Sequence, residues 1–306
     1  MTILVTGSKG FIGKRLVQKL KERYSVGKSI QEYDWKDGEL PMPDLDGVKH
    51  IFHLGAISST TENDLNKIFS WNYDFTLKLI HLSTLNKIPM TLASSASVYG
   101  EQARGGRNPL KEKSNSDHEP RTFYAWSKWL IDRHLEQMAP FWQEEECPAI
   151  CSLRLFNVFG EGEDHKIGMN SASPLTNFYK QAKDNKKIIM FEGSDNFYRD
   201  WIHVDDVCEY FIRTMEEPYH RGVFNIGSGK TVSFGQIGRA MADKFDAEIE
   251  YVAMPQSIRR HYQEWTIADC TKTNSNLGHL YGKIKIADGR EDILLSPLEY
   301  INLKLT

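Results

Sequence analysis

The sequence predicts an α/β protein, a doubly wound parallel sheet with a smaller α/β lobe interleaved at its C-terminal side. Three observations predict it. A β-branched run, Ile3-Leu4-Val5, leads into glycines and then into a helical spacing of apolar residues. Strand-like apolar runs alternate with helical stretches as far as Gly160, the rhythm of a parallel sheet covered on both faces. Beyond Gly160 that rhythm breaks.

Taken in order, the first helix follows from Phe11, Ile12, Leu16, Val17 and Leu20 on one face. Further strands are expected at Ser29–Asp34, Val48–Leu54, Met90–Ser94 and Ala149–Leu155, with helices near Asp64–Asn86 and Tyr124–Met138. Glu101–Thr122, rich in Gly, Asn, Ser and charge, reads as a long surface loop. Past Gly160, strands at Ile188–Phe191 and Gly222–Ile226 flank a helix from about Asp205, and Ile249–Thr306 mixes short signals of both kinds. The expected division is a first domain over 1–160 and a lobe over 161–306, with about 200–230 returning to the first.

Composition narrows the function. The 306 residues carry 38 Lys and Arg against 41 Asp and Glu, a formal charge of −3, which supplies no global field for nucleic acid or an acidic membrane. Neither is an expected partner. No run of eighteen apolar residues is present, and the N-terminal residues lack the basic and apolar regions of a secretory signal, so a cytoplasmic protein is expected. Cys147, Cys151, Cys208 and Cys270 are spaced too irregularly for a zinc site and read as reduced, mostly buried thiols. No metal is expected.

Thr6-Gly7-Ser8-Lys9-Gly10-Phe11-Ile12-Gly13 lies between the first strand and the first helix. Glycines at 7, 10 and 13 permit a tight turn, close approach to a pyrophosphate and close packing of helix on sheet, the Rossmann-type arrangement for a dinucleotide. The plain alternative is a Gly-rich turn with no ligand. Asp34, at the end of the second strand, is placed to bond ribose hydroxyls and repel a 2′-phosphate, which favours NAD; Lys36 and Lys9 keep NADP open.

Tyr124 and Lys128 stand one helical turn apart on one face. A neighbouring ammonium favours the phenolate of a tyrosine otherwise too weak as a base at neutral pH. Upstream, Ser94-Ser95-Ala96-Ser97-Val98-Tyr99-Gly100 ends a strand, where a hydroxyl can point from the carboxyl edge at a substrate oxygen.

In this order, the glycine turn, the Ser-Ser-x-x-Val-Tyr-Gly stretch and Tyr-x-x-x-Lys resemble the extended short-chain dehydrogenase/reductase family of nucleotide-sugar epimerases and dehydratases. The resemblance implies a catalytic set of Ser95, Tyr124 and Lys128, a nucleotide-diphosphate sugar as substrate and a homo-oligomer. It implies cofactor contacts from Gly7, Lys9, Gly10, Phe11, Ile12, Gly13, Asp34, Lys36, Leu54, Gly55, Ala56, Ser58, Asn72, Tyr124, Lys128 and Val158. Dehydratases of this family carry an acidic pair where this chain has Ala96 and Ser97, so dehydration lacks its acid and base.

Four separated stretches, His53–Glu62, Arg154–Met169, Phe191–Asp200 and Arg260–Gln263, resemble the ADP-heptose 6-epimerase branch of that family, whose products enter glycans such as lipopolysaccharide. That branch places a second acid/base opposite the tyrosine, and Lys166 matches it. Inverting a carbinol through a ketone presents both faces to one hydride, so two acid/base groups are chemically natural. Substrate contacts are implied at Ser59, Ser95, Asn157, Lys166, Gly168, Phe191, Glu192, Gly193, Ser194, Arg199, Arg260 and Tyr262, with Arg259 a weaker candidate and Arg199 the diphosphate clamp. Each has a structural alternative: Lys166 a solvated lysine, Arg199 an ion pair with Asp200 or Asp206, Ser59 with Glu62 a capping box, and Asp205 or Asp206 a helix N-cap. The alternative functions are a nucleotide-hexose 4-epimerase and a non-catalytic nucleotide-binding homologue.

The chain also departs from that branch. Only about thirteen residues, Trp35 to Gly47, separate Asp34 from the next strand, where the branch has a further strand and helix with adenosine contacts and phosphate-reading lysines. A more exposed adenine and weaker cofactor retention are expected. Gly168 replaces a small hydroxyl residue and Leu175 a polar ring, which points to a changed sugar pocket.

Overall fold

In this computed structural model the described residues are 1–24, 27–35, 41–59, 62–100, 107–112, 118–143, 147–163, 166–167, 172–260, 262–278 and 296–305. The chain opens with β1 (Thr2–Thr6), α1 (Phe11–Arg23), β2 (Ser29–Tyr33) and β3 (Val48–His53). Next come α2 (Leu65–Ile68), a π-helical turn (Phe69–Asp74), α3 (Phe75–Leu85), β4 (Met90–Ser95), α4 (Phe123–Met138), β5 (Ile150–Leu155) and β6 (Asn157–Phe159). Then follow α5 (Pro174–Asn185), β7 (Lys187–Phe191), β8 (Tyr198–His203), α6 (Val204–Glu216), β9 (Gly222–Ile226), β10 (Thr231–Ser233), α7 (Phe234–Phe245) and β11 (Glu248–Val252). The last elements are α8 (Gln256–Arg259), β12 (Trp265–Thr266), α9 (Thr271–Asn276) and α10 (Pro297–Lys304).

The doubly wound sheet expected from the sequence is present. Its six parallel strands run in the order β2-β1-β3-β4-β5-β9. The order reverses beside β1, and in such sheets ligands gather at the carboxyl ends near that switch point. All six residues of β5, Ile-Cys-Ser-Leu-Arg-Leu, are buried, as a central strand covered on both faces requires. One face packs α1 and α6 around Leu16, Leu20, Val207 and Phe211; the other packs Phe75, Leu79, Ile131 and Leu135. Strand β9 comes from beyond residue 160, so the chain leaves the main sheet, builds part of the second lobe and returns.

The second lobe has its own core of Phe178, Met190, Trp201, Ile237 and Met241, over a β11–β7 ladder and a small sheet in which β8 pairs β10, β12 and β6. Leu175 is buried in this core. No helix among the described residues is long and apolar enough to cross a membrane.

Three local expectations are corrected. The helix near Asp64–Asn86 is interrupted by the π-helical turn and is capped by Asp64, which accepts from Lys67 N at 3.0 Å. Glu62 instead accepts from Asn63 N and Asp64 N, so it does not form a capping box with Ser59. Helix α6 is capped by His203, whose Nδ1 accepts from Asp205 N at 3.2 Å; neither aspartate is the cap, and Asp205 forms a two-point ion pair with Arg15. Glu101–Thr122 is not wholly a surface loop, because Leu110 is buried, bridges Ala268, and accepts from Asn225 Nδ2 at 2.7 Å. The four cysteines are free, and all but Cys147 are buried.

Candidate active site

The glycine turn is built by close approach. A Cβ on Gly7 would lie 2.5 Å from Gly55 N, and one on Gly13 would lie 2.0 Å from Gly7 O, so neither position admits a side chain. Gly7 also has φ +69°, a left-handed conformation that glycine adopts without strain. Gly10 caps α1 and brings no side chain to the first-turn N–H groups, while the first turn carries no acidic residue. That leaves N–H donors and the positive end of the helix facing the turn, which suits a phosphate. Asp34 accepts from Lys9 N at 2.9 Å and from Trp35 N at 3.0 Å, fixing its carboxylate against the turn. A dinucleotide therefore fits: phosphates on the turn, ribose at Asp34. Lys36 lies outside the described residues.

The loop after β3 approaches the same turn. Leu54 N donates to Thr6 O, and Gly55 N donates to Thr6 Oγ1 at 3.3 Å. Thr6 Oγ1 contacts His53 Nδ1 at 2.6 Å, His53 Nε2 contacts Thr76 Oγ1 at 2.8 Å, and Thr76 Oγ1 donates to Asn72 O at 2.7 Å. With the Thr76 proton committed to Asn72 O, the only consistent assignment is a neutral His53 protonated on Nε2, with Thr6 donating to Nδ1. Burial and the neighbouring Lys128 charge push His53 down to about 3. Asn72 then fastens the loop to the catalytic helix. It accepts from Ile57 N at 2.8 Å and donates to Ile57 O and to Ser127 Oγ, and Ser127 lies between Tyr124 and Lys128. Ala56 is part of this fastened loop, while Ser58 is exposed and Ser59 half-buried at its outer end.

Tyr124 and Lys128 project from α4, which Thr122 caps by accepting from Ala125 N at 3.1 Å. Ser95 ends β4, and its hydroxyl, which accepts from Ser97 N at 3.2 Å, stands beside the Tyr124 phenol. The expected lowering of the tyrosine is absent in the protein alone: burial raises the Tyr124 phenol above its ordinary value, and the Ser95 hydroxyl only partly opposes that. The lysine carries the larger effect. Lys128 donates to Ala93 O at 2.8 Å, and burial pulls its ammonium down to about 8 against the opposing pull of Asp132.

Beneath this pair lies a network that the sequence reading assigned no role. Asp132, one turn beyond Lys128, accepts from Ser94 Oγ at 3.0 Å, Ser152 Oγ at 2.6 Å and Arg154 Nε at 2.7 Å. Arg154 also donates to Tyr99 Oη, which in turn donates to Asn225 Oδ1 at 2.6 Å. The Arg154 and Asp132 side chains are 1% and 0% exposed, so α4, β4 and β5 are pinned together by a fully desolvated ion pair. The signal was available: Lys128 and Asp132 share a helix face, and Arg154 is the charge inside an otherwise uncharged buried strand.

The segment after β6 crosses to the glycine turn. Val158 packs on the first core and Asn157 is half-buried on β6 opposite Trp201. Lys166 Nζ lies 5.1 Å from the Phe11 ring centroid and 3.4 Å from Glu163 Oε1. Glu163 is itself held by Ser173 N, Ser173 Oγ and Thr176 Oγ1. Lys166 is thus a half-buried, anchored lysine at the cofactor turn, in contrast to a solvated one, and it brings residues beyond 160 against Phe11 of α1. Gly168 lies outside the described residues.

Arg199 is buried on β8, with its guanidinium 5.0 Å from the Phe234 ring and 5.2 Å from the Tyr262 ring. It donates to Tyr198 O at 2.9 Å, and none of the ion pairs among the described residues includes it. The ion pair with Asp200 is not formed, because Asp200 accepts instead from Ser228 N, Ser228 Oγ, Gly229 N and Ala268 N. Burial lowers the Arg199 guanidinium from its ordinary value. Phe191, Glu192 and Gly193 lead to Ser194, whose buried Oγ has no partner among the described residues, and Phe197 joins that turn to Tyr262 with ring centroids 4.9 Å apart. Arg260 is exposed, and Arg259 pairs Glu264 at the surface.

This is the arrangement of an α/β enzyme that handles a dinucleotide and a second anionic ligand. Residues 3–227 match the NAD dependent epimerase/dehydratase family, and the chain belongs to it. It is 34% identical over 295 residues, 88% of its own length and 90% of the relative's, to the ADP-L-glycero-D-manno-heptose-6-epimerase of Brachyspira hyodysenteriae. Its fold matches the crystal structure of the Helicobacter pylori ADP-L-glycero-D-manno-heptose-6-epimerase with a TM-score of 0.74, at 22% identity over 98% of this chain and 94% of that one. It also matches the Thermotoga maritima UDP-glucose 4-epimerase with UDP-glucose, with a TM-score of 0.78 at 22% identity over 100% and 97%.

Proposed function

We propose that this chain is an NAD-dependent nucleotide-sugar epimerase that inverts C6 of an ADP-linked manno-heptose by oxidation and re-reduction. The observation that carries the reading is Tyr124, one turn from Lys128 on α4 and beside Ser95 at the carboxyl end of β4. The identity of 34% to the Brachyspira enzyme supports the choice of sugar.

When bound, the nicotinamide supplies a reversible hydride acceptor and a positive ring beside the phenol. Ser95 Oγ bonds the carbinol oxygen, and Tyr124 Oη removes its proton as the carbonyl forms. Lys128 holds a positive charge one turn away that favours the phenolate. Lys166 serves the ketone presented by its other face, with Tyr124 and Lys166 exchanging donor and acceptor roles between the half-reactions. Arg199 bonds the diphosphate through its planar fork of N–H groups.

Purified protein is incubated with ADP-D-glycero-D-manno-heptose and the product resolved by NMR. The reading predicts a mixture of C6 epimers; a single unchanged epimer with cofactor bound contradicts it. Lys166→Ala is expected to lose this activity, whereas full turnover by that variant would favour a hexose 4-epimerase. The reading carries with it a dinucleotide-binding domain over 1–160, a lobe over 161–306 from which α6 and β9, within the expected 200–230 stretch, return to the first domain, a cytoplasmic setting and a homo-oligomer.

A further inference from the structure

Trp35 follows Asp34 directly, and its backbone N–H donates to the Asp34 carboxylate that also accepts from Lys9 N. Its indole is therefore set beside the glycine turn. Trp71 sits in the π-helical turn Phe69–Asp74, one residue before Asn72, whose side chain is clamped to Ile57. π-Helical turns concentrate at functional sites because the extra residue re-aims side chains. The two indoles meet with ring centroids 4.8 Å apart at 51°, although they come from segments separated by more than thirty residues of chain. Both are half-buried.

Together with Thr6, Gly7, Asp34 and Gly55 they line an open cleft. Beneath it Tyr33 and Phe75 stack at 14° with centroids 6.2 Å apart, giving the cleft a firm aromatic floor. Its contents are a phosphate-facing turn, one carboxylate at ribose distance along the chain, and two large π faces. The complementary ligand is a planar base on a ribose with free hydroxyls.

We propose that Trp35 and Trp71 form the stacking platform for the adenine of the dinucleotide, taking over adenosine contacts for which the chain between Asp34 and β3 is short. The proposal rests on the NAD reading and sets against the expectation of a loosely held adenine one that rests on an aromatic face. Base-on-aromatic stacking measured by alanine substitution amounts to about 1–3 kcal/mol, roughly 5- to 150-fold in affinity.

The test uses the full-length chain freed of bound dinucleotide, titrated with ADP-ribose and with nicotinamide mononucleotide by calorimetry and by tryptophan fluorescence. ADP-ribose is expected to quench the wild-type emission. Trp35→Ala and Trp71→Ala are each expected to bind ADP-ribose roughly 5- to 150-fold more weakly with the mononucleotide affinity unchanged, and Trp35→Phe to keep most of the affinity. Alanine variants that bind ADP-ribose within about twofold of wild type overturn the platform alone. Equal losses for both probes also overturn it, because they report a loosened site. Wild-type protein that binds neither ADP-ribose nor NAD overturns the cofactor reading together with the platform.

Discussion

Replacing Asp132 with Asn tests whether the network under the catalytic pair is held by charge. Asp132 is fully buried and accepts from three donors, of which Arg154 is a guanidinium only 1% exposed. The amide turns one acceptor into a donor facing donors and removes the carboxylate charge that faces Arg154. Breaking a buried pair this way costs about 3–5 kcal/mol. A chain of 306 residues has a melting entropy of about 0.6 kcal/mol per kelvin, so the melting temperature should fall by about 5–8 °C in calorimetry. Adding Arg154→Met should recover at least half of the loss, since the stranded guanidinium sets most of it. Activity supplies a second readout. The Asp132 charge raises Lys128, which burial has pulled down to about 8, so its removal should move the alkaline limb of kcat to lower pH. Melting of Asp132→Asn within about 1 °C of wild type, or simple addition of the two single shifts in the double variant, would refute the argument.

Three further outcomes follow from the same geometry. Tyr124→Phe should lower kcat by about 10²–10⁴ without changing the dinucleotide released on denaturation, measured by mass. Arg199→Met should raise KM for the nucleotide sugar by about 10- to 100-fold, since a hydrogen bond to a charged group contributes about 1.5–3 kcal/mol, and should raise the melting temperature without substrate because a buried cation lacking an ion-pair partner is removed. Acid should unfold the protein early: His50 and His53 are held at about 3 and His203 at about 4, so below about 6.5 the unfolded chain binds protons that the folded chain refuses. Each contributes a loss of about 1.4 kcal/mol per pH unit as pH falls. Asp200, pushed up to about 6, opposes one of them, and a melting temperature flat from pH 6.5 to 4.5 would contradict the assignment.

The parallel sheet was readable because its inner strands, such as β5, are short apolar runs buried on both faces, and because Gly7 and Gly13 mark a place where backbone must touch backbone. The catalytic set was readable for a similar reason, since Tyr124 and Lys128 are paired by helix geometry alone. What the sequence concealed depends on contacts far apart in the chain. Trp35 meets Trp71 only after β2 and the π-helical turn are both in place, and no local periodicity encodes that meeting. The cap of α6 was misread because Asp205 is the commoner capping type; an arginine from α1 claims its carboxylate, leaving His203 to cap. The Tyr124 phenol was expected to be lowered by its lysine, but burial raises it, and the opposing influence comes from Ser95.

The central claim is that hydride leaves C6 and returns to the same carbon within one bound complex, with Tyr124 and Lys166 moving only protons. ADP-heptose carrying deuterium at C6, turned over in ordinary water and followed by NMR, tests it directly. The account predicts inverted product that retains the label at C6, whereas inversion with the deuterium washed out to solvent would contradict it.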